Sequence, residues 1–337
     1  MPRVEHYLAG LVFLAWPSMY CLSRSRDVTQ LNTEQKRVNR SLQFFAFFFY
    51  NLPMIIDCHT HIFSPEMIAN RFDYATRDPC FAELYGNPKA KMVTAEKLID
   101  DMDKAGVDKS VVLNIGWRSI DLCYVTNDYL MEAAAKYPAR LVPFCSVPQL
   151  CAPESIAEID RCFKGGAKGV GELRPDIEVD LIDEYGIAYL TEFLKANKLS
   201  LLVHATEPVG HDYPGKDLVT PAVLETFIGQ LPGVNIICAH WGGGLPFYTL
   251  MPEVKKAFAR VYYDSAASPF LYNPAVYGTV AGLAGKDRIL FGSDYPLISQ
   301  KRQLDEINAL EMDAADKELL LWGNAARLFN IKTGKNN

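Results

Sequence analysis

Residues 54–62 read Met54-Ile55-Ile56-Asp57-Cys58-His59-Thr60-His61-Ile62. The run is apolar, rich in branched residues and too short for a helix, which predicts a buried strand. Side chains alternate across a strand, so His59 and His61, two apart, share one face. The same kind of run returns seven times: Ser110–Ile115, Leu141–Val147, Ala167–Leu173, Ser200–Ala205, Asn235–His240, Val261–Ser265 and Arg288–Ser293. These runs are continuous rather than alternating, as expected of parallel strands covered on both faces. Longer segments with helical patterning separate them: Thr94–Ala105, Asn127–Tyr137, Pro153–Lys164, Asp183–Asn197, Pro221–Leu231, Pro246–Phe258, Pro274–Ala284 and Gln300–Leu310. Thr94, Asn127 and Asp183 suit helix N-caps; Pro153, Pro221 and Pro274 suit first turns. Eight strands alternating with eight helices predict an α/β fold, a (β/α)8 TIM barrel of parallel strands. An open doubly wound sheet fits less well, because no glycine-rich phosphate fingerprint follows the first strand.

The balance of charge narrows the partners. With 34 Lys+Arg against 40 Asp+Glu the net charge is −6, and no basic stripe exists to neutralise a phosphate backbone. A small-molecule substrate is therefore expected rather than a nucleic acid. The eight cysteines form no C-x-x-C pair, a pattern that suits a reducing, cytoplasmic compartment. Residues 1–53 read differently from the rest. The stretch 7–22, YLAGLVFLAWPSMYCL, is apolar but interrupted by Pro17 and short of the ~20 residues that span a bilayer. A signal or anchor, a disordered extension and a start placed too far upstream are the three readings, and Met54 opening a strand favours the last. On that reading 54–331 is one barrel domain and 332–337 a polar tail, with no membrane partner unless the extension is real. The long stretch Phe63–Val93 after the first strand is placed to serve as a lid.

The chemistry gathers at the strand C-termini. Four of six histidines end strands: His59 and His61 on the first, His204 on the fifth and His240 on the sixth. Glu172 ends the fourth strand and Asp294 the eighth. In a barrel these ends form one rim, where active sites are built. Neutral imidazoles with carboxylates make a ligand set for a divalent metal: Zn²⁺ first, with Mn²⁺, Fe²⁺ or Co²⁺ also suited. His6 and His211 read as solvated. Arg174 is placed to bind a substrate carboxylate, and Trp117 and Arg118 to shape the pocket. Asp264 reads as a structural hydrogen-bond acceptor. Asp57 is expected on the face of the two histidines, accepting from a histidine or nearby backbone, with Cys58 opposite in the core. Asn324 is expected to cap the closing helix.

The motifs IIDCHTH, KGVGELRP, LLVHATEP, IICAHWGGGLP, ILFGSDYP and GNAARLF, in this order, resemble the amidohydrolase superfamily, in the amidohydrolase-2 branch that includes aminocarboxymuconate-semialdehyde decarboxylase. The resemblance runs from Met54 to Phe329. It implies that His59, His61, His204 and Asp294 approach a divalent metal. It implies that His240 is a second-metal ligand or an acid/base catalyst, and that Glu172 ligates if two metals bind, so one or two ions per chain are expected. It also leaves room for a homodimer. The first functional reading is a metal-dependent hydrolase of an amide, ester or lactone, with Asp294 and His240 as catalytic groups around a metal-activated water. The second is a non-oxidative decarboxylase of a small carboxylic acid, aromatic acids included, which the same ligands would serve.

Overall fold

A computed structural model of the chain describes residues 54–175, 184–216 and 218–332. The expectations for residues 1–53, for Asp183 as a cap and for nearly all of the polar tail lie outside the described residues. Eight parallel strands follow one another around a single sheet: β1 Ile56–His61, β2 Lys109–Leu113, β3 Leu141–Cys145, β4 Gly169–Leu173, β5 Ser200–Val203, β6 Asn235–Cys238, β7 Val261–Asp264 and β8 Ile289–Leu290. β8 is only two residues long, yet the ring closes beyond it. The Cys58 N–H donates to Phe291 C=O at 2.8 Å, the His61 N–H to Tyr295 C=O at 2.7 Å and the Asp294 N–H to His59 C=O at 3.0 Å. The fold is the expected (β/α)8 TIM barrel. Among the described residues no helix is long and apolar enough to cross a membrane.

Thr94 caps the helix Ala95–Ala105 as expected, its hydroxyl accepting from the Lys97 N–H. Asn127 does not cap. The second barrel helix begins a full two turns earlier, at Ile120, and Asn127 lies in its interior. Its amide donates to Ser146 C=O and to Glu158, tying this helix to β3 and to the helix Pro153–Lys164. The expected helix Pro246–Phe258 is also broken. A run of positive φ from His240 to Gly244 precedes it, a 3₁₀ stretch follows to Leu250, and a short helix, Pro252–Ala257, restarts after Met251. Proline at 252 cannot donate back into a continuous helix, so it opens a new one.

Two apolar layers hold the barrel. Outward-facing residues such as Val112, Val170, Leu201, Val203 and Ile236 pack under the helices. Inward-facing residues such as Phe144, Leu202, Ile237 and Leu290 fill the barrel and meet Ala325, Leu328 and Phe329 of the closing helix, which plugs the floor. Asn324 serves that plug by donating to Lys286 and Ile289 carbonyls rather than by capping. The seven described cysteines are all free and buried.

β1 departs from simple alternation. Its pairing with β2 shifts register between Asp57 and Thr60. An inserted residue exchanges the faces of a strand. Cys58 therefore joins Ile56 in the inner apolar cluster, while Asp57 bonds outward to Gln300 at the start of the helix Gln300–Ala309. This reverses the expected sides of Asp57 and Cys58. His59 and His61, past the shift, come to the upper rim together.

Candidate metal centre

His59 and His61 face one point: their Nε2 atoms are 3.0 Å apart. Asp294 Oδ1 lies 3.7 Å from His59 Nε2 and 3.3 Å from His61 Nε2. Glu172 Oε2 lies 3.9 Å from each of the same nitrogens. His240 Nε2 is 3.6 Å from the other Asp294 oxygen, Oδ2. Two triads have ligand atoms close enough to share a cation: His59, His61 and Asp294; and His59, Glu172 and His240. All these groups are buried except Asp294, whose side chain is 14% exposed at the mouth.

β7 supplies the brace beneath. Asp264, fully buried, takes the His59 Nδ1 hydrogen at 2.9 Å through Oδ2. Its Oδ1 accepts from the backbone N–H groups of His240 and Ala266, each at 3.0 Å. One carboxylate thus fixes the ring of His59 and the backbone of His240. A histidine that donates through Nδ1 presents the Nε2 lone pair, so the tautomer aimed at the cluster is the ligating one. Asp57 does the same for the opposite wall. It accepts from Ser293 Oγ at 2.6 Å, from the Ser293 N–H at 3.0 Å, from the His59 N–H at 3.1 Å and from Gln300 at 2.8 Å. Ser293 immediately precedes Asp294, so Asp57 sets where that carboxylate stands. Burial raises Asp57 to about 6 against the opposing hydrogen bonds from Ser293 and Gln300.

The backbone is bent to aim these groups. His240 and Asp294 both hold positive φ, 53° and 62°. Residues with a Cβ rarely adopt that region, and such strain collects at functional sites. The run continues through Trp241, Gly242, Gly243 and Gly244. Gly243 admits no side chain: a Cβ there would strike the Thr206 backbone carbonyl. The glycines thus serve a tight left-handed turn that delivers His240 to the rim.

The charges explain why a cation fits. Burial pushes His59 down, but the adjoining Asp264 carboxylate outweighs it, with Glu172 and Asp294 adding, and the imidazole rises to about 10. Burial pushes Glu172 up, and the nearby His204 more than offsets it, holding the carboxyl well below its usual range. Asp294 is likewise held well below, burial being outweighed by hydrogen bonding to His240 and His61. His240 is raised, its own burial overcome by Asp294. Three carboxylates in a buried cluster leave negative charge that a proton or a divalent cation must balance. The His61 Nδ1 atom, buried, has no hydrogen-bond partner among the described residues. The donor set of imidazole nitrogens and carboxylate oxygens is that of Zn²⁺ and Mn²⁺ sites.

His204 reaches the same rim, its ring 4.9 Å from that of His240. Both its nitrogens are engaged: Nδ1, on the cluster side, meets Glu172 Oε1 at 2.7 Å and Nε2 meets Gly215 C=O at 2.9 Å. Arg174 is buried beside the site, with Nη2 3.5 Å from the Gly215 carbonyl. It lines a cleft with Gly116, Trp117, Arg118 and Leu173. Trp117 is buried there as part of the wall: its indole N–H donates to Asn114 and its ring stacks on Phe81 at 5.3 Å. Arg118 is exposed, and its backbone N–H is held by Asp78. His211 lies in an exposed loop.

The stretch after β1 forms three short helices, Pro65–Ala69, Arg71–Arg77 and Pro79–Tyr85. Ser64 and Asp78 cap the first and third through their side chains. Phe63, Phe81 and Tyr85 pack edge to face or tilted, with Phe63–Tyr85 centroids 4.7 Å apart, giving the lid an aromatic underside. Sequence reasoning missed Ser293, Gln300 and Glu83. Ser293 could have been found, since it adjoins Asp294; the other two carry no local signal.

The amidohydrolase family matches residues 56–331. The 2-amino-3-carboxymuconate-6-semialdehyde decarboxylase of Dictyostelium discoideum is 20% identical over 83% of this chain and 92% of its own length. The gamma-resorcylate decarboxylase of Polaromonas sp. is 25% identical over 61% of this chain and 75% of its own length. Among solved structures, the 5-carboxyvanillate decarboxylase of Novosphingobium aromaticivorans, with bound manganese, superposes with a TM-score of 0.68 at 20% identity, covering 82% of this chain and 97% of that one. These relatives are decarboxylases, which overturns hydrolysis as the first reading of the sequence. The ligand set could not make that distinction, because both chemistries draw on it. With its barrel, its rim of histidines and acids and a match across nearly all the described residues, the chain belongs to the amidohydrolase family.

Proposed function

We propose that this protein is a metal-dependent, non-oxidative decarboxylase of a small aromatic or similarly unsaturated carboxylic acid. The observation that carries the reading is the His240–Asp294 pair, 3.6 Å apart, beside the His59–His61 nitrogens in a chain whose relatives are decarboxylases. His59, His61 and Asp294 would hold the cation, with His204 offering Nδ1 in place of its contact to Glu172 while Nε2–H stays on the Gly215 carbonyl. Mn²⁺ is the first choice, because a related structure carries manganese, and Zn²⁺ the second. Both metal-capable triads need His59 Nε2, whose other nitrogen is committed to Asp264, so one cation per chain is expected.

A divalent cation supplies a Lewis-acidic anchor for the substrate carboxylate or a neighbouring oxygen and steadies the negative charge that grows as CO₂ departs. The protein does the rest. Arg174 pairs with the non-reacting anionic end of the substrate. The aromatic underside of the lid covers the ring and keeps water from it. His240 donates through Nδ1 to the Ala205 carbonyl at 3.1 Å, which leaves Nε2 facing the cavity. From Nε2 a proton passes to the ring carbon as its bond to CO₂ breaks. The balance is R–COO⁻ + H⁺ → R–H + CO₂, with no oxidant. Asp294 beside Nε2 holds the imidazolium and then helps it recover a proton from solvent.

The test is Mn²⁺- or Zn²⁺-loaded protein, kept free of oxygen, with a panel of hydroxybenzoates and unsaturated dicarboxylic acids. CO₂ release, lost on His240→Ala, is expected. No CO₂ from any acid with either metal would overturn the reading.

A further inference from the structure

Gly215 sits in the loop after β5, and its N–H and its C=O, which belong to the two adjoining peptide groups, are both held. Its N–H donates to Glu83 Oε1 at 2.9 Å, and Glu83 belongs to the lid helix Pro79–Tyr85. Its C=O accepts from His204 Nε2 at 2.9 Å. Glycine suits this position: φ is +93°, which strains other residues, and a Cβ would meet Leu84 Cδ2 of the lid at 2.8 Å, so that side chain would have to shift. The contact between Glu83 and Gly215 spans 132 residues of sequence and is the lid's polar tie to this loop.

We propose that Glu83 is a positioning residue for the metal centre, acting through the backbone of Gly215 on His204. This rests on His204 serving as a ligand. A ligating imidazole is oriented by what its other nitrogen donates to, and removing such a partner weakens metal binding. For His204 the arrangement is plain: Nδ1 points at Glu172 and the cluster, and Nε2–H is steadied by the Gly215 carbonyl. Glu83, by holding the N–H on the other side of the Gly215 Cα, limits how this residue can turn and so where its carbonyl points. Arg174 Nη2, 3.5 Å from the same oxygen, shares in holding it. Closing the lid therefore firms the ligand set from outside the barrel, and an open lid leaves the His204 ring held on its Nε2 side by a less rigid carbonyl. Because coupling between two equilibria is reciprocal, a bound cation must also hold the lid closed.

The test measures Mn²⁺ dissociation constants on the full chain by equilibrium dialysis, with hydrogen exchange of the lid and of the Gly215 loop with and without Mn²⁺. Glu83 is exposed, so its variants are expected to fold. Glu83→Ala should weaken Mn²⁺ binding roughly threefold to tenfold, the scale of one lost hydrogen bond. Glu83→Gln, which keeps an acceptor oxygen, should restore wild-type affinity. In a His204→Ala background Glu83→Ala should change nothing further. Mn²⁺ should slow exchange in both segments of the wild type and in neither segment of Glu83→Ala. Unchanged affinity in Glu83→Ala, or an equal loss in both backgrounds, would overturn the role of Glu83. If His204→Ala itself binds Mn²⁺ like the wild type, His204 is not a ligand, and the proposal falls for that separate reason.

Discussion

Replacing Asp264 by Asn tests the brace under the cluster. The carboxylate takes one imidazole hydrogen at 2.9 Å and two backbone hydrogens at 3.0 Å, and it is fully buried. An asparagine fits the same space. Its oxygen can keep the two backbone donors, which leaves its NH₂ pointing at His59 Nδ1. A donor there forces Nδ1 to accept and moves the ring hydrogen to Nε2, the atom that faces His61 and Asp294. The ligating lone pair is then lost without any change of shape. Outer partners of metal-bound histidines are typically worth ~10- to 100-fold in affinity, or about 1.4–2.8 kcal/mol. The metal-free fold should lose less, about 1–3 kcal/mol for one mismatched buried hydrogen bond. Equilibrium dialysis against Mn²⁺ reads the first quantity, and urea unfolding of the metal-free protein reads the second. Asp264→Asn that binds Mn²⁺ as tightly as the wild type would refute the idea that Asp264 sets the tautomer of His59.

Metal affinity should also depend on pH. His59, raised to about 10 by Asp264 against its burial, must give up a proton to ligate, so Mn²⁺ binding should tighten steadily as pH rises from 6 to 9; a flat profile, read by dialysis, would contradict this. Gly243→Ala should destabilise the protein by at least about 2 kcal/mol in urea unfolding, because the new Cβ meets the Thr206 carbonyl at a φ of +57°. It should also cost activity by displacing His240; a stable, active variant would show that the turn is not needed. Glu158 tests acid stability away from the site. Its burial raises it, but hydrogen bonds from Arg161 and Asn127 more than compensate and leave it lowered. Its stabilisation is thus complete above the unfolded carboxyl value, about 4.3, and lost as pH falls through the lower folded value. Glu158→Gln should be less stable than the wild type at neutral pH, and the gap should close on acidification; a constant gap would refute the sign.

Much of this was legible in the residues. Continuous branched runs mark buried parallel strands, and all eight start within two residues of the expected point because the helices on either side demand apolar faces throughout. The rim residues were legible for the same reason: a strand's end is also the barrel's mouth. What failed was local and two-sided. Asn127 is a good cap by type, but it was claimed by Ser146 and Glu158, partners from other elements that no window of sequence contains. The sides of Asp57 and Cys58 depended on one register shift, which alternation cannot foresee. Asp264 was rightly read as a hydrogen-bond acceptor, though not which ring it would hold. Glu83 and Gly215 give no signal, since their meaning lies in a contact across the mouth. Hydrolysis against decarboxylation was undecidable from ligands, because the choice rests on what the substrate offers.

The cluster also sits on the seam where the first strand meets the last. The Asp294 N–H is bound to the His59 carbonyl, and Ser293 to Asp57 across 236 positions of sequence, so the His59–His61–Asp294 triad waits for the end of the barrel. A chain emerging from the ribosome carries both histidines early, but they stay harmless stubs until translation has nearly finished. A product cut short before the eighth strand lacks Asp294, and with it the His59–His61–Asp294 triad, so only the set of His59, Glu172 and His240 stays within its reach.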